Sequence, residues 1–204
     1  MLTRAIDIAV ALGALIVLMP IFLLIALGIK LGSRGPVLFS QLRIGQYGRP
    51  FRLYKFRSMS ADAERRGPPV TPKGDLRVTR FGRTLRLLRL DELPQLVNII
   101  LGDMGLVGPR PEVPSIVERY TLEDREVLNT RPGLVGPSQL VWLDESERYP
   151  AGVDPIAYYV EHIVPLKLRS DLEYLRRRSL MTDLWCMIQA PFALLRHARR
   201  RLAR

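Results

Sequence analysis

The chain has 204 residues, of which 48% are hydrophobic and 25% charged, a composition that builds a packed core and excludes a disordered chain. Lys and Arg number 31 against 20 Asp and Glu, and the net charge of +11 directs attention to anionic partners: phosphates, nucleic acid or lipid headgroups. One cysteine, Cys186, excludes a disulfide scaffold and a cysteine-built zinc site, and two histidines, His162 and His197, are too few for a histidine-rich metal centre.

In chain order, the first element lies between Asp7 and Lys30, an uncharged stretch long enough to enter a bilayer as a helix. A cleaved signal peptide fits poorly, because the basic start holds only Arg4 and no small-x-small cleavage site follows. A buried core helix is the other alternative, although few soluble helices are apolar all round. Pro20, near the middle, removes a backbone donor and predicts a kink. Lys30, Arg34, Arg43, Arg49, Arg52, Lys55 and Arg57 follow the segment, so its C-terminal side is expected in the cytoplasm. A full span would strand the charged Arg4 and Asp7 on the far side, which favours a re-entrant segment with both ends on the cytoplasmic face.

Two β-rich runs, Val37–Arg43 and Phe51–Phe56, flank Gly45, Gly48 and Pro50 and predict a hairpin. Residues 60–78, with Gly67, Pro68, Pro69, Pro72 and Gly74, predict a loop. Helices are expected over 79–90, 94–101, 114–129 and 154–178, the last interrupted at Pro165. Residues 131–140 read as a turn leading into a short strand, and no internal repeat is evident. The tail carries Leu184, Trp185, Met187, Ile188, Phe192, Leu194 and Leu195 ahead of Arg196, Arg199, Arg200, Arg201 and Arg204. That order suits an interfacial amphipathic helix on anionic lipid, or an ordinary core helix with a solvated basic end. The expected fold is a small α/β domain, mostly helical, with one hairpin. It divides into residues 1–30 (re-entrant membrane helix), 31–180 (catalytic domain) and 181–204 (basic helix of the same domain).

The densest chemical candidate is Leu90-Asp91-Glu92-Leu93-Pro94-Gln95-Leu96. Pro94 is tolerated only in a helix's first turn, so Asp91 and Glu92 belong at a helix start. They suit an N-cap and its neighbour. They equally suit a phosphate site with Arg86 and Arg89 upstream, where one carboxylate is a nucleophile and the other a base or metal ligand. A second candidate, Gly102-Asp103-Met104-Gly105-Leu106-Val107-Gly108-Pro109-Arg110-Pro111-Glu112, is either a tight connector or a phosphate cradle with a rigidly held Arg110. A third, Lys55-Phe56-Arg57, ends the hairpin; alternation puts Lys55 and Arg57 on one strand face, suited to a phosphate. No Walker loop, dinucleotide-binding glycine triplet, zinc-ligand spacing or Ser/His/Asp set is present.

These motifs in this order, GPVLFSQLRIG, YKFRSM, LRLDELPQL, GDMGLVGPRP and RPGLVG after an apolar segment with a central Pro, resemble the bacterial sugar transferase family, and within it the small monotopic phosphoglycosyl transferases. The resemblance covers about residues 1–190. It implies transfer of a phosphosugar from a UDP-sugar to undecaprenyl phosphate, with Mg²⁺ and release of UMP, at the cytoplasmic face of the bacterial inner membrane. By the same resemblance Asp91 corresponds to the nucleophile, forming an aspartyl-phosphosugar intermediate, and Glu92 to its acid–base and metal partner. Arg4 and Asp7 correspond to an N-terminal basic-x-x-Asp pattern, and Pro20 to the break in the re-entrant helix. Met19 stands where a serine is frequent before the proline. Many members carry Gly-Trp-Ala-Gln-Val-Asn-Gly-Arg after the position of Gly136, and the phosphate-binding arginine expected near Leu143 is absent here, with Arg148 as the nearest substitute. Two acids without histidine suit Mg²⁺ completed by phosphate oxygens and water.

The expected partners are a UDP-sugar, undecaprenyl phosphate and a phospholipid membrane, with a homo-oligomer left open. The competing reading is a non-catalytic, membrane-anchored basic module that binds anionic lipid or nucleic acid. No RNP-like aromatics, helix-turn-helix signal or zinc spacing supports nucleic acid. A polytopic transferase is disfavoured by the single apolar segment.

Overall fold

A computed structural model describes residues 2–202 apart from 69, 72, 73, 144, 146, 147 and 151. Pro69 and Pro72 of the expected loop and Arg204 of the basic tail lie outside the described residues. Most of the chain is helical. The first helix, α1 (Leu2–Gly32), runs through Pro20 as one element and is long and apolar enough to cross a membrane. Ala11, Ile25 and Ile29 are buried, while Ile16, Val17, Leu23, Leu24 and Leu31 are strongly exposed.

Strands β1 (Leu38–Ile44) and β2 (Pro50–Phe56) form the expected hairpin, antiparallel with Leu38 opposite Phe56 and Ile44 opposite Pro50. The connection is a single 3-10 turn in which Tyr47 (φ 59°) and Gly48 (φ 72°) take left-handed backbone. The expected loop at 60–78 contains a short helix, α2 (Ala63–Arg66). Arg77 organises this segment: it donates to the carbonyls of Ala63, Pro68 and Val70 and pairs with Asp75 at 2.6 Å.

Helix α3 (Arg80–Leu87) is capped by Thr79, whose hydroxyl accepts the Gly82 N–H at 2.9 Å. Helix α4 (Gln95–Leu101) ends at Gly102, whose φ of 100° is the left-handed closure glycine permits. Strand β3 (Gly105–Val107) follows. The helix expected over 114–129 is divided: α5 (Pro114–Val117) stops, and a 3-10 segment, Asp124–Asn129, follows. Thr121 and Asp124 explain the division. Each accepts the other's backbone N–H, so side chains take the place of continuing helical bonds.

The expected strand after 140 lies earlier, as β4 (Gly133–Val135), and residues beyond it form α6 (Pro137–Val141). Here the structure corrects the absence of a repeat: the pentapeptide Gly-Leu-Val-Gly-Pro occurs at 105–109 and at 133–137. Strands β3 and β4, from its two copies, pair in parallel and in register, Gly105 with Gly133 and Val107 with Val135. Glycine is required at this crossing, since a Cβ on Gly133 would stand 2.0 Å from the Gly108 nitrogen.

Helix α7 (Pro155–Tyr158) passes through a π-helical turn, Tyr159–Ile163, into α8 (Val164–Arg176), with Pro165 in the first turn of α8. Pro165 has no N–H to donate, so a change in helical register beside it costs no ordinary bond. The last helix, α9 (Leu180–Leu202), contains Pro191. It buries Cys186, Ala193, His197 and Ala198 and exposes Leu184, Trp185, Ile188, Phe192 and Leu195.

Three apolar clusters hold these elements. One joins Ala11 of α1 to Leu53, Leu96, Ile99, Met104, Leu106 and Cys186. A second joins Ile25 and Ile29 to Phe56 and Leu85, with the Phe22 and Phe56 rings edge to face at 5.1 Å. The third packs Val70, α5, Trp142, the π-helical turn and α8 together. Helix α1 therefore contributes to two of the three clusters. Its N-terminal end is also pinned: Arg4 donates to the carbonyls of Ile100 (3.1 Å) and Met104 (3.3 Å), and Asp7 accepts the Leu106 N–H at 3.3 Å. Arg4 neutralises the open carbonyl end of α4, where a cation is favoured. At the other end, Lys30 donates to the Gly35 carbonyl and Gly28 leaves room for the Phe81 ring.

Candidate active site

Asp91 and Glu92 sit in a 3-10 turn, Leu90–Glu92, rather than capping a helix. Arg89 precedes them with φ 55°, left-handed backbone that a side-chain-bearing residue adopts at a cost of about 1 kcal/mol or more. That residue turns the chain between α3 and α4, and both carboxylates become buried.

Glu92 is the hub. Its Oε1 accepts from Lys55 Nζ (3.1 Å), Arg89 Nη1 (3.1 Å) and Arg110 Nη2 (2.6 Å), and its Oε2 from Arg110 Nη1 (3.3 Å). Three segments far apart in sequence thus meet on one carboxylate. Burial pushes the Glu92 carboxyl up, but Arg110, Lys55 and Arg89 outweigh it and hold the group well below the usual range. Burial likewise draws the Lys55 ammonium down to about 8, with Arg110 adding to the fall against the opposing pull of Glu92.

Asp91 behaves oppositely. Its Oδ1 is buried and has no hydrogen-bond partner among the described residues. Burial raises its carboxyl above the ordinary value, and the negative charge of Glu92 raises it further against Lys55, Arg86 and Arg89. The site thus separates two adjacent acids into a fixed anion and a more basic carboxylate with an open oxygen. This is the division of labour expected of a charge-balancing group beside a nucleophile.

The other sequence candidates divide. Arg86, largely buried on α3, is close enough to Asp91 to lower its pKa. Arg57 departs from expectation. Strand β2 ends at Phe56, and the Arg57 guanidinium is buried on the carbonyls of Ser33 (2.9 Å) and Arg34, so it and Lys55 do not share a strand face. Arg148 is exposed and stacks on Trp142, 4.0 Å from the ring centroid. Arg4 and Asp7 bind the α4–β3 connection, as described.

Several participants escaped the sequence reading. Asn98 of α4 accepts the Tyr54 N–H (3.0 Å) and donates to the Arg52 carbonyl (2.7 Å) and Asp103 (3.1 Å), locking β2 and the glycine loop to the helix that follows the two acids. Arg43, Glu112, Tyr159, Lys167 and the half-buried Glu145 form a second polar group, on the segment that follows Arg110. Only Glu112, adjacent to the Pro-Arg-Pro motif, had a sequence signal.

As possible metal ligands, Asp91 and Glu92 are all the cluster offers: no group of three or more His, Cys, Asp or Glu converges among the described residues. Their oxygens fit a hard cation such as Mg²⁺ whose shell is completed by substrate phosphate and water, and the open Asp91 Oδ1 is the available donor.

A family model described as bacterial sugar transferase matches residues 1–197. The chain is 40% identical over 186 residues to UDP-N-acetylgalactosamine-undecaprenyl-phosphate N-acetylgalactosaminephosphotransferase of Aeromonas hydrophila, covering 88% of this chain and 40% of that protein. It is 36% identical over 197 residues to UDP-glucose:undecaprenyl-phosphate glucose-1-phosphate transferase of Caulobacter vibrioides, covering 94% and 69%. To exopolysaccharide production protein PSS of Rhizobium leguminosarum it is 38% identical over 190 residues, covering 90% of each. Thus the chain spans less than half of the first relative and nearly all of the third. With a whole-chain family match and relatives named as phosphotransferases, the chain belongs to the bacterial sugar transferase family, a family of enzymes.

Proposed function

We propose that this chain transfers a phosphosugar from a UDP-sugar to undecaprenyl phosphate through a covalent intermediate on Asp91. The observation that carries the reading is the contrast within the acid pair: Asp91 keeps a buried, unpartnered oxygen, while Glu92 is neutralised by three cations. The Asp91 carboxylate attacks the sugar-bearing phosphorus of the donor. The bond from that phosphorus to the bridging oxygen breaks, and UMP leaves with the electron pair. A phosphate oxygen of the lipid then attacks the same phosphorus and expels Asp91 as a free carboxylate, giving undecaprenyl-diphosphate-sugar. Arg86, Arg89, Arg110 and Lys55 offset the negative charge of both substrates, and Glu92 keeps Lys55, Arg89 and Arg110 in place. Mg²⁺, held by Asp91 and Glu92 with phosphate oxygens, would supply further charge neutralisation.

The contacts of α1 support a placement at the membrane surface. Arg4 and Asp7 at one end, and Gly28 and Lys30 at the other, contact the same folded domain. A helix with both ends held by one domain favours entry and return at a single face, the cytoplasmic one, over a full span. The exposed apolar residues of α9 and its arginines then suit contact with the same lipid surface.

The test is incubation in detergent with a panel of UDP-sugars, N-acetylgalactosamine and glucose donors included. UMP release without acceptor, together with a phosphosugar mass on Asp91, is expected. Full turnover by Asp91→Asn would overturn the nucleophile assignment. Strongly salt-dependent lipid binding with no UMP release from any donor would indicate a non-catalytic basic module instead.

A further inference from the structure

Arg110 reaches Glu92 from a short segment between Pro109 and Pro111, and what steadies that segment lies on its far side. Arg43 Nη1 donates to the Pro111 carbonyl (3.0 Å) and to Glu112 Oε2 (3.3 Å), and the Ile44 N–H donates to the Glu112 carbonyl (2.9 Å). Gln41 fixes the Arg43 guanidinium through contacts of 3.1 and 2.7 Å. The other oxygen of Glu112 accepts from the Tyr159 hydroxyl, which in turn accepts from Lys167 Nζ at 2.8 Å. Lys167 also donates to Glu145 Oε2 at 2.8 Å. Tyr159 opens the π-helical turn, a rare geometry that inserts an extra residue and is frequent at functional sites.

Buried ion pairs contribute little net stability compared with well-packed apolar residues, so this arrangement is poorly explained as a stabilising device. Its members bear on Pro111 and Glu112, the two residues after Arg110, and among the described residues no hydrogen bond or ion pair joins them to Asp91 or Glu92. We propose that Glu112, held between Arg43 on one side and the Tyr159–Lys167 pair on the other, is a positioning residue that fixes Arg110 on Glu92. The inference rests on the reading of Asp91 and Glu92 as the reacting pair. It deepens that reading by assigning the orientation of the Pro-Arg-Pro arginine to the hairpin and the π-helical turn.

Tyr159→Phe is the sharpest probe, because it removes one hydroxyl and keeps the ring packed in its apolar cluster. Small displacements of a site group from afar cost up to about a hundredfold in rate, and a loss of about tenfold to a hundredfold in UMP release is expected. The readout specific to positioning is a double-mutant cycle with Arg110→Lys. If Tyr159 acts through Arg110, the double variant is no slower than Arg110→Lys alone; losses that multiply would overturn the proposal. Solvent exchange of the Arg110 guanidinium protons, followed by NMR on ¹⁵N-arginine protein, does not depend on turnover. It is expected to quicken about tenfold or more in Tyr159→Phe, and unchanged exchange would overturn the proposal. If the wild-type chain released no UMP from any donor, the proposed function would fail, and the exchange result would still decide the positioning role. Glu112→Gln, which keeps the volume of the side chain, serves if Tyr159→Phe does not fold.

Discussion

Lys55 Nζ stands 3.1 Å from Glu92 Oε1 at the end of β2, and burial has brought its ammonium down to about 8. Below that pH the lysine is one of three cations on Glu92; above it the carboxylate loses one of them. UMP release is therefore expected to fall on the alkaline side with a midpoint near 8. On the acid side it falls as Asp91 takes up a proton, at a pH above the ordinary carboxylate range because its pKa is raised. A rate–pH profile checks both limbs. Lys55→Arg, which stays charged, moves the alkaline limb upward and leaves the acid limb in place.

Glu92→Gln leaves Lys55, Arg89 and Arg110 facing one another without their shared anion. Removing one partner from a buried charge group typically costs about 3–5 kcal/mol. Chemical denaturation in detergent should show a loss of that order, accompanied by loss of UMP release. A variant as stable as the wild type would mean that water screens the three cations.

The parallel crossing of the two Gly-Leu-Val-Gly-Pro copies leaves no room for a side chain. Gly133→Ala forces a Cβ against the Gly108 backbone and is expected to abolish folded protein, read as the loss of a monodisperse peak after extraction. Gly13→Ala is the control. Nothing lies within 4 Å of a Cβ there, so expression and extraction should match the wild type.

Asp7 accepts the N–H of the buried Leu106. Asp7→Ala should cost about 1–3 kcal/mol by leaving that donor unpaired. Faster proteolysis between residues 100 and 110 is the direct readout, and Arg4→Ala should expose the same region.

Chelation is expected to stop UMP release and added Mg²⁺ to restore it, because among the described residues no larger group of acids or histidines converges beside Asp91 and Glu92, which would share their cation with two phosphorylated substrates. Undiminished release in chelator would assign charge neutralisation to Lys55, Arg86, Arg89 and Arg110 alone.

The local structure was readable where local rules govern. Both strands of the hairpin lie within one residue of their expected ends, because two β-rich runs flank a glycine turn. Helices α3 and α4 followed from amphipathic spacing and from Pro94. The acid pair and Pro-Arg-Pro loop were recognisable because their residue types are dense in a short window. What was hidden depended on distance along the chain. Nothing near Arg57 reveals that the carbonyls of Ser33 and Arg34 will claim it. Nothing in the sequence reveals that the Arg148 guanidinium will stack on Trp142. Arg43, Tyr159 and Lys167 lie in three separate elements and carry no motif, so only folding unites them around Glu112. The split at 121–124 was legible in principle, since Thr-x-x-Asp can supply the backbone's bonds from side chains.

Arg4, Asp7, Ala11, Ile25, Gly28 and Ile29 give α1 a specific address on the domain, so this apolar helix is a structural wall of the fold and not a tether. Deleting it would uncover Ile99, Met104 and Leu85, which pack in the clusters that α1 completes. An unrelated apolar helix of equal length would find no seat there. Seating of α1 and assembly of the acid pair with its cations are thus expected to belong to a single folding event, so that whatever loosens the one loosens the other.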